Sequence, residues 1–451
     1  MKHHANSIGG SAVKLEAVRR RLEETQLNAV RELLTDKVIT TICSECGYYF
    51  RERIFTPLVT IFHMIGAAIS REGSFQSSWH NIGETGNSDT LSKARRRLPI
   101  AVWKRIHKWI ASQIEAESRE VSLWRGHRVI GVDGTCVSMS DEAELERVFG
   151  KSGSRQGRSR FPIARTIFGF DLFNITAVDY EIGAYKTGEN KLFSELMPHF
   201  NKGDLIVGDR RFAGAKLYVD YIRADLEYIT RAHQRLKIQR LTIRRWLDRN
   251  DYIVLMPIQK TYRHKDATLP ESIEVRILKV TAIVRGRKES FWVVTSLLSA
   301  EQYPADEIRA LYQRRWLVEG LIGEIKIWLG ADVLRSKTEE GIQKELCARI
   351  IAFNLIRWLI LKAAKEHGEA AERISFAATV RLIAAFSLKM STAPFWMLPP
   401  LYEDLLEKIA TSVVPCRPGR VEPRMKRRDQ KHYPILKISR SEWRDINGIA
   451  A

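Results

Sequence analysis

The sequence predicts a mixed α/β fold, helical at both ends and interrupted by a β-rich stretch, and three observations predict it. From Trp124 onward, short apolar runs bounded by turn residues alternate with segments of helical periodicity, as in layered α/β domains. Ahead of that point, the first ~120 residues carry apolar and charged faces at helical spacing. Between about Ile238 and Ser296 the β-like runs lengthen and the helices drop out. These shifts divide the chain into a mostly helical region 1–123, the first part of an α/β core at 124–237, and a β-rich insertion at 238–300. The helical remainder of the core follows at 301–370, then a C-terminal helical region and basic tail at 371–451.

In chain order, Val13 to Leu34 and Ala101 to Ile114 read as amphipathic helices. The run Arg95-Arg96-Arg97 precedes Leu98-Pro99, where a helix should stop. It is either a solvated helix end or a contact for nucleic acid. Arg128 to Thr135 reads as a buried strand ending at the Asp133-Gly134 turn, and Ala164 to Phe170 and Ile175 to Ile182 as two more strands. A helix is expected from Glu189 to His199. The apolar run Asp204 to Gly208 then delivers Asp209, and Ala215 to Ala224 returns to helix. In the insertion, strands are expected at Tyr252 to Ile258, Ile273 to Val284 and Ser290 to Leu297. In the second of these, apolar residues fall at 273, 275 and 277, then shift to 278, 280, 282 and 284. Side chains alternate strictly along a strand, so this slip predicts a bulge or sharp bend. After Pro304 the pattern is helical almost to Pro394, and the tail from Pro415 is basic.

A chain of 451 residues with 45% hydrophobic content can bury more than one core. Its 73 Lys and Arg against 53 Asp and Glu give a formal net charge of +20. That balance favours polyanionic partners, nucleic acid first, although ribosome-associated and anionic-membrane proteins share it. The most apolar stretch, Ile350 to Ala363, is interrupted by Asn354, Arg357 and Lys362 and is too short to span a bilayer. The N-terminus lacks the uninterrupted apolar core of a signal peptide. Five scattered cysteines fit a reduced, cytoplasmic protein. Cys43 and Cys46 form a lone C-x-x-C with no second pair or nearby His, so two ordinary thiols near a helix end are expected.

Two acids stand at the ends of expected strands, Asp133 and Asp209, where α/β domains place ligands and catalytic groups. Either could be only a turn former or helix cap. Asp209 sits in Gly208-Asp209-Arg210-Arg211-Phe212, however, and a cap does not call for two arginines beside it. A site that holds phosphate does. Tyr312, Arg315, Glu319 and Lys326 are spaced to share one stripe of one helix. A salt-bridged solvent face would explain that stripe, with Arg315 and Glu319 paired at i,i+4. Three carboxylates from distant parts of the chain could instead converge on two metal ions ~3.5–4 Å apart, arming a water or 3′-hydroxyl for attack at phosphorus. Oxygen ligands suit Mg²⁺ or Mn²⁺ rather than zinc. Arg315 and Lys326 would then grip the flanking phosphates.

These residues resemble a known family, the bacterial insertion-sequence transposases with a DDE catalytic domain, of the IS-four group to which the Tn-five enzyme is related. Tyr312, Arg315, Glu319 and Lys326 match its Y-x2-R-x3-E-x6-K signature in full. Val132-Asp133-Gly134-Thr135 is similar to its first acidic motif and Gly208 to Phe212 to its second. Ser92 to Pro99 resembles its N-terminal region, and Arg417 to Arg424 with Lys426-Arg427-Arg428 its C-terminal tail. The resemblance implies a ribonuclease-H-like core with the β-rich insertion between the second Asp and the Glu. It also implies cut-and-paste transposition, by nicking, a hairpin at the element end, hairpin opening and strand transfer. Asp133 would bridge two Mg²⁺ ions, with Asp209 and Glu319 each completing one site. Tyr312, Arg315, Lys326 and Arg210 would hold phosphates. A tryptophan of the insertion would stack on a flipped base; Trp292 is the expected one, and Phe291 remains the alternative. The implied partners are terminal inverted repeats and target DNA, bound by a homodimer on paired ends at the bacterial nucleoid. A stand-alone nuclease on the same core, or a DNA-binding regulator, are the rival readings. A regulator has no reason to keep three metal ligands.

Overall fold

The computed structural model describes residues 33–51, 55–70, 88–118, 122–154, 157–284, 287–415, 438 and 440–448. The described residues of 1–117 and 323–415 form one compact unit, and those of 118–322 and 416–451 form another.

The second unit is built on a sheet of nine named strands. They are β1 (His127–Met139), β2 (Ile163–Asp171), β3 (Thr176–Ala184), β4 (Leu205–Gly208), β5 (Glu227–Arg231), β6 (Thr242–Asp248), β7 (Asp251–Pro257), β8 (Ser272–Val284) and β9 (Arg287–Thr295). Their order is β3-β2-β1-β4-β5-β9-β8-β7-β6. β1, β2 and β3 form an antiparallel meander, whereas β4 runs parallel to β1 and β5 parallel to β4. Parallel neighbours need a crossover, which α1 (Glu189–Leu196) and α2 (Ala215–Arg223) supply. β4 is apolar and buried throughout, as a strand covered on both faces must be.

β1 differs from its expectation. It runs six residues beyond Asp133, because β2 pairs with it as far as Ser138–Ile163 while β4 stops at Gly208. Asp133 therefore marks the end of a parallel neighbour, not the end of its own strand. The β-rich stretch also contains a strand not expected, β6, and it lengthens the core sheet: β9 pairs with β5 from Val293–Arg231 to Thr295–Ile229. The bulge expected in β8 is absent. Its register with β7 and β9 is unbroken, and the irregularities lie between β7 and β6 instead. The apolar phase shifts because β8 changes the face it buries. Ile273, Val275 and Ile277 join the core that holds Ile130, Phe193, Phe212 and Val294. Leu278, Val280 and Ala282, also buried, alternate to the other face.

On that other face lie α3 (Ala305–Gln313) and α4 (Arg315–Gly323). The single helix expected here is broken at Arg314, whose Nη2 donates to the carbonyl of Leu172 at 2.8 Å while its guanidinium covers the Phe173 ring. A five-residue π-helical turn, Glu324–Trp328, follows α4. Gly131 seats α4 on β1: a Cβ there would stand 2.6 Å from both Leu172 Cδ2 and Val318 Cγ2.

The other unit is organised around α5 (Glu339–His367), capped by Thr338 and ended by Gly368 in the left-handed region. Helices Pro57–Ile69, Phe376–Thr392 and Leu398–Thr411 pack on it. The polar interruptions of its apolar stretch are structural. Arg357 pairs with Glu324, and neighbouring Trp358 donates to Glu117 at 2.8 Å. Among the described residues no helix is long and apolar enough to cross a membrane. Cys43 is buried in helix Asp36–Glu45 and Cys46 caps its end, both as free thiols. The helix carrying Arg95 stops at Arg97 as expected. Arg95 donates to Ser336 Oγ at 3.2 Å, and Arg96 and Arg97 are exposed. Residues 1–32 and the motif from Arg417 to Arg428 lie outside the described residues.

Candidate active site

The parallel ladder between β1 and β4 ends at Val132 paired with Gly208. The next residue on each strand is an aspartate, so the register alone sets Asp133 beside Asp209. Strand alternation aims Asp133 at the α4 face, since Ile130 and Val132 belong to the opposite core. Its Oδ1 accepts from the N–H of Gly134 at 2.7 Å. Asp209 caps the short 3₁₀ turn Arg210–Phe212, its Oδ1 accepting from the Arg211 N–H at 2.7 Å. It is thus a cap as well as an acid at the site.

Glu319 comes from α4, and Arg315 ties it to the strands. Arg315 is 8% exposed. Its Nη2 donates to Glu319 Oε1 at 3.1 Å, and its Nη1 stands 3.9 Å from Asp133 Oδ2. One guanidinium therefore neutralises parts of two carboxylates, while the charge of Asp209 is added beside them. Asp133 registers the imbalance. Burial first, then the negative charges of Asp209 and Glu319, push its carboxyl up to about 6, against the Gly134 hydrogen bond and Arg315. The donors suit a hard divalent cation in kind: all are carboxylate oxygens, and bound positive charge would relieve the repulsion among them. Among the described residues no three His, Cys, Asp or Glu side chains are already gathered as an ion would require. Arg315 supplies the positive charge in this structure.

Tyr312 is buried on α3, and burial holds its phenol above the ordinary range, with the Arg315 charge acting in the opposite direction. Arg210 is exposed. Lys326 falls on the π-helical turn in the other unit, and helical spacing of 3.6 residues does not carry across such a turn. The two insertion aromatics point opposite ways. Phe291 is 7% exposed on the α4 face, packed by Tyr312 and Trp316 with Arg231 over its ring. Trp292 is half-buried on the opposite face, its ring 5.8 Å from Tyr252.

Sequence reasoning passed over three side chains near the site, Trp316, Glu189 and Arg165, and singled out Arg211 only as one of two arginines beside Asp209. Trp316 is half-exposed beside Arg315. Glu189, Arg165 and Arg211 form a cluster beside Gly134 of β1, with Arg211 Nη1 donating to Glu189 Oε1 at 2.5 Å. Nothing in the sequence marked Glu189, because an acid in the first turn of a helix is what the helix dipole already favours.

A mixed α/β sheet that brings an aspartate of β1 beside the one following β4, under a helix bearing a glutamate, is an arrangement to compare with known enzymes. The Transposase DDE domain family matches residues 124–355, a little over half of the chain, and the chain belongs to that family. It is 23% identical over 420 residues to the transposase InsG of insertion sequence element IS4 from Escherichia coli K12, covering 90% of this chain and 93% of that protein. To the probable transposase of element IS5377 from Geobacillus stearothermophilus it is 24% identical over 361 residues, covering 77% and 88%. A solved piggyBac transposase synaptic complex with hairpin DNA aligns over 88% of this chain and 87% of that one, at 10% identity and a TM-score of 0.42. The protein is a DDE transposase, a DNA-cleaving enzyme of the kind insertion sequences encode.

Proposed function

We propose that this transposase moves its element by cut-and-paste chemistry, with two-metal phosphodiester hydrolysis, a hairpin intermediate and strand transfer. The observation that carries the reading is the register placing Asp133 beside Asp209, with Glu319 joined to Asp133 through Arg315. The order β3-β2-β1-β4-β5, with three strands antiparallel and two parallel, supports a ribonuclease-H-like core that β6 to β9 extend.

Asp133, Asp209 and Glu319 would hold Mg²⁺, with Mn²⁺ able to substitute. When bound, the metal supplies an activated water or 3′-hydroxyl and stabilises both oxygens of an in-line displacement. Arg315 lies close enough to the carboxylates to receive a phosphate between them and solvent. Arg210 and Lys326 add positive charge for flanking phosphates, and the Tyr312 ring packs against Trp316, over which Arg315 lies. For the flipped base, Trp292 is the expected tryptophan of the insertion. Trp316 is a second candidate, because it is half-exposed on the triad face. Replacing a terminal base by 2-aminopurine decides between them: the variant that loses the fluorescence change, Trp292→Ala or Trp316→Ala, identifies the stacking ring. The substrates are terminal inverted repeats and target DNA, with two copies of the chain on paired ends.

The test is to incubate purified protein with labelled element ends and Mg²⁺. Nicks, hairpins and joined products are expected. Hydrolysis without joining of pre-cut ends would instead identify a nuclease. Intact cleavage by Asp133→Asn, Asp209→Asn and Glu319→Gln alike would overturn the triad.

A further inference from the structure

Beside the triad lies a charged cluster that metal binding leaves unexplained. Glu189, on the first turn of α1, is only 12% exposed at its side chain. Its Oε1 accepts from Arg211 Nη1 at 2.5 Å and stands 3.7 Å from Arg165 Nη1. Two guanidinium groups thus share one carboxylate, which leaves the cluster with a net positive charge. A purely structural ion pair needs only one arginine. The Nε of Arg165 is buried and has no hydrogen-bond partner among the described residues, an arrangement that costs free energy until an acceptor arrives. Arg211 is different: its side chain is 63% exposed, and one of its five donors is engaged by Glu189.

The backbone is shaped to admit this cluster. A Cβ on Gly134 would stand 3.2 Å from Glu189 Cδ and 2.8 Å from Ile167 Cδ1, so glycine here lets the carboxyl group lie against β1, one residue past Asp133. Arg211 is also attracted by Asp209 and Asp133, but the Glu189 hydrogen bond is the stronger influence on it. Glu189 therefore competes with the acids of the triad for this guanidinium and holds it at the rim.

We infer that Arg211 and Arg165, organised by Glu189, form a subsite for a phosphodiester group of the DNA strand next to the one being cut. This rests on the reading of the chain as a DNA-cutting enzyme. A phosphodiester offers two non-bridging oxygens, which suit paired guanidinium donors and would satisfy the Arg165 Nε. Arg211 follows Asp209 by two residues, and its own N–H holds the Asp209 carboxylate. A phosphate bound there would lie along the strand from the triad. Glu189 is a positioning residue in this scheme, and Arg211 makes the contact.

The test is binding of a short labelled duplex in EDTA, where no strand is cut, across ~50–200 mM salt. Arg211→Ala should bind about tenfold more weakly and lower the slope of log affinity against log salt by about 0.9, the value of one phosphate contact. Lys202→Ala, which removes an exposed charge at the far end of β4, should leave both unchanged. Glu189→Gln should reproduce the loss, and the Glu189→Gln/Arg211→Ala double variant should bind no more weakly than Arg211→Ala alone, since the two act as one unit. Arg211 is exposed, so its variants test the subsite even if Arg165→Ala folds poorly. If wild type binds with steep salt dependence and Arg211→Ala matches it, or Lys202→Ala shows the same loss, the subsite is wrong. If wild type shows no salt-dependent binding, the DNA-cutting reading falls with it.

Discussion

Strands β1 and β4 run side by side, yet their two ends are built on opposite electrostatic plans. At the start, Arg128 clamps Asp204 through two hydrogen bonds, at 3.0 and 2.5 Å, and both side chains are buried. The remaining demand of Asp204 is met by the N–H of Asn201 at 2.8 Å. At the other end, the same two strands deliver Asp133 and Asp209, two charges of one sign, with Arg315 offering only partial relief. One end is closed and satisfied. The other end is left with an excess of negative charge, which a bound divalent cation would relieve. The strand pair thus separates the residues that hold the fold from those proposed to do chemistry.

Substitutions should divide along the same line. The largest effect is expected at the negatively charged end: Asp133→Asn, Asp209→Asn or Glu319→Gln should each lower strand cleavage by roughly a thousandfold or more, measured as nicked product from labelled ends. Next, Arg128→Met leaves Asp204 buried without its partner and should cost about 3–5 kcal/mol in urea unfolding. A neutral result there would mean the closed end is not what holds the strands.

A third variant should have the opposite sign. Asp133 is raised from an ordinary 3.8 to about 6, so the folded protein binds more protons than the unfolded chain between those values. Stability without metal should therefore fall as pH rises through about 4 to 6. Asp133→Asn should remove that fall and stabilise the metal-free protein by at most about 2–3 kcal/mol near neutral pH, with no gain below pH ~4. Calorimetry in EDTA at both pH values checks it, and equal melting shifts at the two would refute it. The smallest effect is expected from Gly131→Ala. Its methyl group would press on Val318 and Leu172 and cost about 1–3 kcal/mol, while cleavage falls further because α4 carries both Arg315 and Glu319. Cleavage that tracks stability alone would show that the seat of α4 does not set the site.

The alternation of elements from Trp124 was legible because apolar runs and turn residues are local signals. Asp209 and Glu319 stood out as candidates by local signals too, the first by its arginines and the second by a helical spacing that the structure interrupts at Arg314 and again before Lys326. What local patterning could not show was set by neighbours distant in sequence. β1 outruns Asp133 because β2 keeps pairing with it, and β8 keeps its register because two different layers bury its two halves. The break at Arg314 depends on a carbonyl of Leu172, more than a hundred residues away. Glu189 gave no signal at all, since its partners come from β2 and from the turn after β4.

The seam between β5 and β9 has a consequence for how the chain folds. Three residue pairs, Val293–Arg231 to Thr295–Ile229, make β5 an interior strand, and without them it would be an open edge. The partner strand begins more than fifty residues later, so a long loop must close before the sheet is complete. Such non-local pairing slows folding and leaves β5 exposed to wrong partners meanwhile. During synthesis, the strand end that carries Asp209 is made well before the strands that protect its neighbour. Glu319 arrives later still, so the carboxylates can meet only after the insertion has been synthesised.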